Sequence, residues 1–271
     1  MVLTEENYYS IESNRQYMSV SSFKAFQKCE AAALAEIKGE YVPDRGRALL
    51  LGSYVDEMLT GTKESQDKFV EENRAELFKK NGDPYADVAK ADEAIASVKM
   101  QPLMMKYLGG DHQTILTGEI EGVPVKGKFD SYKPGEFIAD LKYLKDFRSP
   151  NFFENAISYY GYDVQLAVYR ELAKQNGGGD LPCYLVIVTK QDPPDVAVAE
   201  VSEFDLDTAL SRFKASVRRF QDIKDGKIQP ERCESHDCPY CRWSKVLTEP
   251  IDSNLLGRSK KDLDIMYSIF F

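Results

Sequence analysis

The chain has 271 residues, a formal charge of −9 at pH 7 and 43% hydrophobic residues, which is enough for one good core, so one elaborated domain over residues 1–271 is expected rather than two independent ones. No apolar run approaches the roughly 18 residues that span a bilayer, and the opening "MVLTEENYYSIESNRQ" lacks the apolar centre of a secretory signal, so a soluble, cytoplasmic protein with no membrane role is expected. The acidic balance speaks against a nucleic-acid coat protein that binds by bulk charge, but it leaves room for a local basic groove.

In chain order, "SVSSFKAFQKCEAAALAEIKG" reads as one helix, with serines as N-cap candidates, apolar residues at helical spacing and Gly39 as the stop. "RALLLGSYVDEMLTG", "ESQDKFVEENRAELFKK" and "ADVAKADEAIASVKMQPLMMKYL" predict three more, separated by Gly, Asn and Pro. A helical N-terminal part over about 19–107 follows from these four segments. From Gln113 the pattern changes to alternating β-branched and aromatic residues, interrupted at "EGVP" and "KPGE", which predicts a three-strand meander. A long helix over "SPNFFENAISYYGYDVQLAVYRELAKQNGGG" comes next, closed by three glycines. "CYLVIVTK" and "VAVAEVSEF" read as strands, and "DLDTALSRFKASVRRFQDIKDG" as an amphipathic helix that ends a core over about 113–228. The remaining stretch, about 229–271, is a Cys-rich segment with an apolar end, "IMYSIFF", which is expected to dock on its own domain.

The segment "FDSYKPGEFIADLK" carries the chemistry. Side chains alternate along a strand, so Asp140 and Lys142 share one face and Ala139 and Leu141 the other. Pairing of "VKGKFDSY" with "FIADLKY" across "KPGE" brings Asp130 toward Asp140. Two carboxylates on one sheet face repel unless paired or bound to a cation. A hard divalent ion, Mg²⁺ or Mn²⁺, resolves the conflict, with Lys142 placed to orient or deprotonate an attacking water. An acidic residue two before a lysine also occurs at Glu36, Asp222 and Asp225, so the short motif discriminates little. The copy at Asp140 differs in its surroundings, because it lies on a buried strand, follows a second aspartate across a turn and precedes a helix whose Tyr162, Gln165 and Tyr169 share a face. The plainer reading of that helix is tyrosine packing on a sheet.

Asp130, the Asp140-Leu141-Lys142 triplet and the Gln165 and Tyr169 pair, in this order, resemble the PD-(D/E)xK nuclease superfamily, and within it the RecB-type exonucleases and the RecE-like proteins of phages and prophages. The resemblance runs from about Ser19 to Arg242. It implies an α/β, restriction-endonuclease-like αβββαβ core, with a mixed central sheet flanked by helices and an N-terminal helical elaboration, and Mg²⁺-dependent hydrolysis of DNA phosphodiesters. It also implies that Asp130 and Asp140 hold metal together with the Leu141 carbonyl, that Lys142 is the catalytic lysine, and that Gln165 and Tyr169 steady the site or contact DNA. Glu119 matches an acidic position on the first strand that reaches a second metal or its waters. Asp56, in "LGSYVDEML", stands where relatives frequently carry a histidine, which leaves the number of metals open.

Cys29 with Cys233, Cys238 and Cys241 matches the layout of RecB-type nucleases that hold a [4Fe-4S] cluster, although the late spacing differs from the best-known cases. The same four thiols suit Zn²⁺, and free thiols in a C-terminal turn are the third reading. Cys183 reads as a small core residue, His112 as a solvated turn residue, and His236 as an alternative ligand inside the cysteine cluster. Lys126, Lys128, Lys133, Lys142, Lys145 and Arg148 surround the acidic pair and read as DNA phosphate contacts, whereas Arg212, Lys214, Arg218 and Arg219 read as a solvated helix face. No phosphate-binding G-x-x-x-x-G-K-[ST] loop is present, which argues against an ATP-driven motor in this chain. The expected function is therefore metal-dependent DNA exonuclease activity at DNA ends in phage-type recombination. By family analogy, a single-strand annealing protein is the expected partner and a homo-oligomeric ring the expected assembly. The alternatives are a catalytically inactive DNA-binding or scaffold protein of the same fold, and a cysteine-based metal sensor.

Overall fold

The computed structural model describes residues 1–44, 46–148, 155–235, 237–248, 250 and 253. His236 and the apolar end "IMYSIFF" lie outside the described residues, as do the first residues of the long helix expected after the meander.

The N-terminal part is helical: α1 (Ile11–Gln16), α2 (Val20–Lys28) and α3 (Glu30–Lys38), with the short strand β1 (Met18–Ser19) between the first two, then α4 (Gly46–Thr60), α5 (Lys63–Glu72), α6 (Arg74–Leu77), α7 (Ala86–Lys99) and α8 (Pro102–Tyr107). The single helix expected after Ser19 is broken at Cys29, whose φ of −164° and ψ of 106° are extended. The break has a local cause. The new helix start docks on the C-terminal segment, where Ala31 N donates to Glu231 O (2.9 Å) and the Glu30 carboxylate accepts from Glu231 N and Arg219, so backbone donors at the helix start gain partners. The second expected helix is α4, whereas the third and fourth are interrupted, at Asn73 and before Pro102, where the missing N–H and fixed φ of proline favour a fresh helix start.

The meander is β2 (Thr114–Ile120), β3 (Val123–Phe129), β4 (Ser131–Lys133) and β5 (Phe137–Leu144). Its second strand is thus interrupted at Asp130, and the two halves join different sheets. β3 lies between β1 and β2, while β4 starts the order β4-β5-β6-β7 with β6 (Cys183–Thr189) and β7 (Val196–Val201). Between β5 and β6 the chain crosses over through α9 (Ala156–Tyr159) and α10 (Tyr162–Gln175), which makes that pair parallel, whereas β4/β5 and β6/β7 are antiparallel. The chain continues into α11 (Glu203–Lys224) and α12 (Pro239–Trp243). The order βββαβ flanked by helices is the expected mixed α/β core.

Both faces of the second sheet are covered, which explains the unbroken apolar reading of its central strands. Phe137, Ala139 and Leu141 pack with α4, α7 and α8 residues such as Val55, Val98 and Met104, whereas Ile138, Leu185 and Ile187 pack toward α10 and α11. Leu166, Val168 and Leu172 of α10 are fully buried, each contributing about 1.5–3 kcal/mol of transfer free energy. Asp140 and Lys142 therefore alternate onto the α10 side, deep under a helix rather than on an open face.

Candidate active site

The register fixes the two aspartates. Ser131 pairs with Ala139, so one step back places Asp130 opposite Asp140, at the point where β3 gives way to β4. Asp130 Oδ2 accepts the Leu141 N–H at 3.0 Å. The Leu141 carbonyl leaves the strand on the same edge as its N–H, so it faces the same space. Asp140 is 1% exposed, and its Oδ2 faces the Lys142 ammonium in an ion pair but has no hydrogen bond of good geometry among the described residues.

Helix α10 closes the site from above. Gln165 Nε2 donates to Asp140 Oδ1 (2.7 Å) and lies 3.2 Å from Tyr169 Oη, which in turn donates to Lys128 O (2.8 Å). The Tyr169 ring stacks on Phe129, with centroids 4.3 Å apart. Gly127 makes this approach possible, since a Cβ there would sit 2.9 Å from Tyr169 Cε1. Gly161, at φ +65°, supplies the left-handed turn that starts α10, and Arg212 of α11 pairs with the buried Asp163 in its first turn.

Residues far apart in sequence complete the site. Asp56, from α4, accepts from Gln113 Nε2 (3.0 Å), so a third carboxylate stands beside Asp130, Asp140 and Lys142. Lys24, from α2, donates to Tyr160 O (2.9 Å) and lies 5.4 Å from the Tyr162 ring centroid; Lys142 lies 5.1 Å from the same ring. Lys24, Asp56, Gln113, Asp130, Lys142 and Tyr162 line a cavity of about 760 Å³ together with Tyr8, Tyr9 and Lys128, with Asp140 buried behind Lys142 and Gln165. Sequence reading missed Lys24, Gln113, Tyr8 and Tyr9. Their local patterns are those of an ordinary helix, a strand entry and an N-terminal turn, and only tertiary packing brings them to the carboxylates.

The electrostatics are those of crowded like charges. Burial, then the charges of Asp140 and Asp56, raises the Asp130 pKa well above the usual carboxylate range. Asp56 is also raised, first by burial. Burial opposes charge on Lys142, but Asp140 and Asp130 outweigh it and hold the ammonium more firmly than in an ordinary lysine. Burial, followed by the Lys142 charge, lowers Lys24 to about 8. A divalent cation fits this donor set, because the carboxylates of Asp56, Asp130 and Asp140 converge and, among the described residues, only Asp140 of the three has an ion-pair partner.

Three expectations need correction. Glu119 is not brought to the site: the β2/β3 register puts Asp130 level with Gln113, so Glu119 stands six residues, about 20 Å, along the strand, where it is exposed. Lys126 is 1% exposed and donates to Tyr8 O, Ser13 Oγ (2.7 Å) and Asn14 Oδ1 (2.8 Å), so it is a buried tie to α1 rather than a phosphate contact. Lys133 pairs with Glu136 in the turn before β5 (2.9 Å). Lys145 and Arg148, by contrast, are exposed just beyond Leu144, which lines the cavity, so the expected DNA contact there needs no correction. Lys128 does line the cavity, 5.2 Å from the Tyr9 ring centroid.

The structure also gathers Cys29, Cys233, Cys238 and Cys241, with all four sulfurs within 4.8 Å of one another. Cys29–Cys241 and Cys233–Cys241 are both 3.7 Å apart, close to the roughly 3.8 Å edge of a tetrahedron with metal–sulfur bonds of about 2.3 Å. Cys183 is a buried β6 residue, and His112 is exposed with Nδ1 2.9 Å from Asp130 O. Arg218 and Arg219 on α11 are tied to Glu121 O and to Glu30 and Glu231.

Two aspartates facing each other across adjacent strands, a lysine two residues beyond the second and a glutamine from the crossover helix, on a βββαβ core, define a PD-(D/E)xK nuclease fold. The family model described as "PDDEXK-like domain of unknown function (DUF3799)" matches residues 19–244, and the chain belongs to this family. A crystal structure of a protein from Eubacterium rectale, described as a "Putative exonuclease", is similar at 37% identity and a TM-score of 0.87, covering 95% of this chain and 99% of that one. No curated protein matches the chain significantly. No helix among the described residues is long and apolar enough to cross a membrane.

Proposed function

We propose that this protein is a metal-dependent DNA exonuclease that hydrolyses phosphodiester bonds at DNA ends. The observation that carries the reading is the juxtaposition of Asp130 with the buried Asp140 and the Lys142 ammonium at one cavity. Asp130, Asp140 and the Leu141 carbonyl would hold Mg²⁺ or Mn²⁺, with Asp56 placed to contribute a further oxygen. The bound ion would supply charge stabilisation at the phosphate and an activated water. Lys142 Nζ, charged beside Asp140, offers donors to a phosphate oxygen or to the attacking water. Gln165 fixes one oxygen of Asp140 and leaves the other to Lys142, while Lys24 and Lys128 add positive charge along the cavity wall against the overall −9.

The reading takes the described chain as one nuclease unit and places it in the cytoplasm, where thiols stay reduced. Cys29, Cys233, Cys238 and Cys241 would then hold Zn²⁺ or a [4Fe-4S] cluster that ties the α2–α3 break to the C-terminal segment. Metal analysis of anaerobically purified wild type and Cys29→Ser tests this: bound zinc or iron lost in the variant supports it, and equal content in both removes it. From the family resemblance come a role in phage-type recombination beside a single-strand annealing protein, and assembly as a homo-oligomeric ring. Sedimentation of the purified protein tests the ring.

The test of the exonuclease reading compares end-labelled linear duplex with closed circular DNA in Mg²⁺. Loss of linear DNA alone is expected. Cutting of the circle at a similar rate makes the protein an endonuclease, and inertness on both with DNA binding intact makes it a scaffold.

A further inference from the structure

Outside the catalytic cavity, a group of three aromatic rings is built on the cysteine cluster. Trp243, the single tryptophan of the chain, is 68% exposed at the end of α12. Its ring centroid lies 5.9 Å from Tyr41 and 6.1 Å from Tyr240, and those two tyrosines are 5.2 Å apart. The group spans two distant segments held together at the thiols, since Cys238 caps α12, Cys241 lies within it and Cys29 starts α3. Arg232 sits 5.8 Å from the Tyr240 ring centroid, and Arg242 and Lys245 are exposed beside it. None of these three cations forms an ion pair among the described residues; Arg232 and Arg242 instead bond to backbone carbonyls of the same segment.

A groove from the catalytic cavity ends near the platform in sequence, and no platform residue lines it. This groove, of about 350 Å³, shares Tyr8, Tyr9, Ser19, Ser21 and Leu49 with that cavity and runs past α3 to Pro43, two residues from Tyr41. Tyr9, 64% exposed, stands at the junction. Stacked aromatics flanked by cations are the elements of a single-strand binding surface, because every base offers a π-face and every phosphate a charge.

We propose that Tyr41, Tyr240 and Trp243 form a stacking platform for single-stranded nucleic acid outside the catalytic cavity. This rests on the nuclease reading of the cavity and adds a second contact region to it. Bases stack on the exposed Trp243 ring, and Arg242 and Lys245 meet the adjacent phosphates. The cysteine cluster holds the platform in place without touching the strand.

The experiment measures anisotropy of labelled single strands of about 6 and about 20 nucleotides on full-length Asp140→Ala protein, with and without Trp243→Ala. Trp243→Ala is expected to weaken binding of the longer strand roughly tenfold, the size of one lost base–aromatic stack, and to leave the shorter strand unchanged. Trp243→Phe restores most of the loss, and zinc and iron content stays at the parent value. Equal affinity of both proteins for the longer strand overturns the proposal, and a change in sedimentation without a change in affinity assigns the patch to contact between copies instead. Digestion of linear duplex by the wild type is followed in parallel. Digestion with unaltered strand affinity in the Trp243 variant removes the platform alone; no digestion and no binding of either strand removes both readings.

Discussion

Gln165 holds one oxygen of Asp140 and leaves the other to Lys142: Nε2 lies 2.7 Å from Oδ1, while Oδ2 faces the ammonium without a well-formed hydrogen bond. A carboxylate fixed by an amide on one side and by a lysine on the other is held in place for a ligand. Gln165→Ala is expected to lower nuclease rate about 10–100-fold, the usual loss when a ligand's supporting hydrogen bond is removed. Gln165→Glu should be worse, since it adds a fourth carboxylate to the site. Steady-state digestion rates at saturating DNA separate the loss from weakened binding.

Asp130 and Asp56 make the metal-free protein sensitive to pH. Their folded-state pKa values lie above the ordinary 3.8, so the folded chain retains protons that the unfolded chain releases. The contribution of these two groups to stability therefore falls as pH rises from about 4 through the raised values. Asp130→Asn should raise the melting temperature of metal-free protein at pH 7 by several degrees, on a scale of about 2–4 °C per kcal/mol for chains of this size. Mg²⁺ should stabilise the wild type more than the variant. Calorimetric melts with and without Mg²⁺ check both, and a lower melting temperature for metal-free Asp130→Asn contradicts the like-charge account.

Lys24 supplies a basic limb. With its pKa lowered to about 8, it is charged at pH 7 and largely neutral at pH 9. DNA affinity of the wild type should fall across that interval, and Lys24→Arg, which stays charged, should flatten the fall. Lys24→Ala should weaken binding several-fold at pH 7, about the loss of one phosphate contact, and reduce the salt dependence by roughly one counterion. Binding isotherms at three salt concentrations and two pH values measure both effects.

Lys126 should behave as a structural residue. Lys126→Ala leaves Tyr8 O, Ser13 Oγ and Asn14 Oδ1 without their shared buried donor, which costs about 2 kcal/mol or more. Denaturant unfolding should report that loss, while the salt dependence of DNA binding stays at the wild-type slope. A reduced slope with unchanged stability would return Lys126 to the DNA surface.

The legible part of the site was local. Asp130, the Asp140-Leu141-Lys142 triplet and the Gln165 and Tyr169 pair lie within 40 residues, so strand alternation and helical spacing were enough to set them on one face. Strand periodicity gives the face of a residue but not what covers it, which is why Lys126, under α1, was taken for a DNA contact. Glu119 follows from the family resemblance alone, and the β2/β3 register carries it away from the site. The breaks at Cys29 and Asp130 were invisible because both residues sit in runs of correct periodicity. One is explained by docking of α3 on the C-terminal segment, and the other coincides with a change of sheet partner. Lys24 and Gln113 reach the site from separate elements, and no short sequence window contains that information.

The most direct test is digestion of end-labelled linear duplex by wild type, Asp140→Ala and Lys142→Ala, each with Mg²⁺ and again with a chelator. The expected result is digestion by the wild type in Mg²⁺ only, with both variants at least about 100-fold slower while melting as folded proteins and still binding DNA. Undiminished digestion by Asp140→Ala, or by the wild type with chelator present, would contradict a metal-dependent site at Asp130, Asp140 and Lys142.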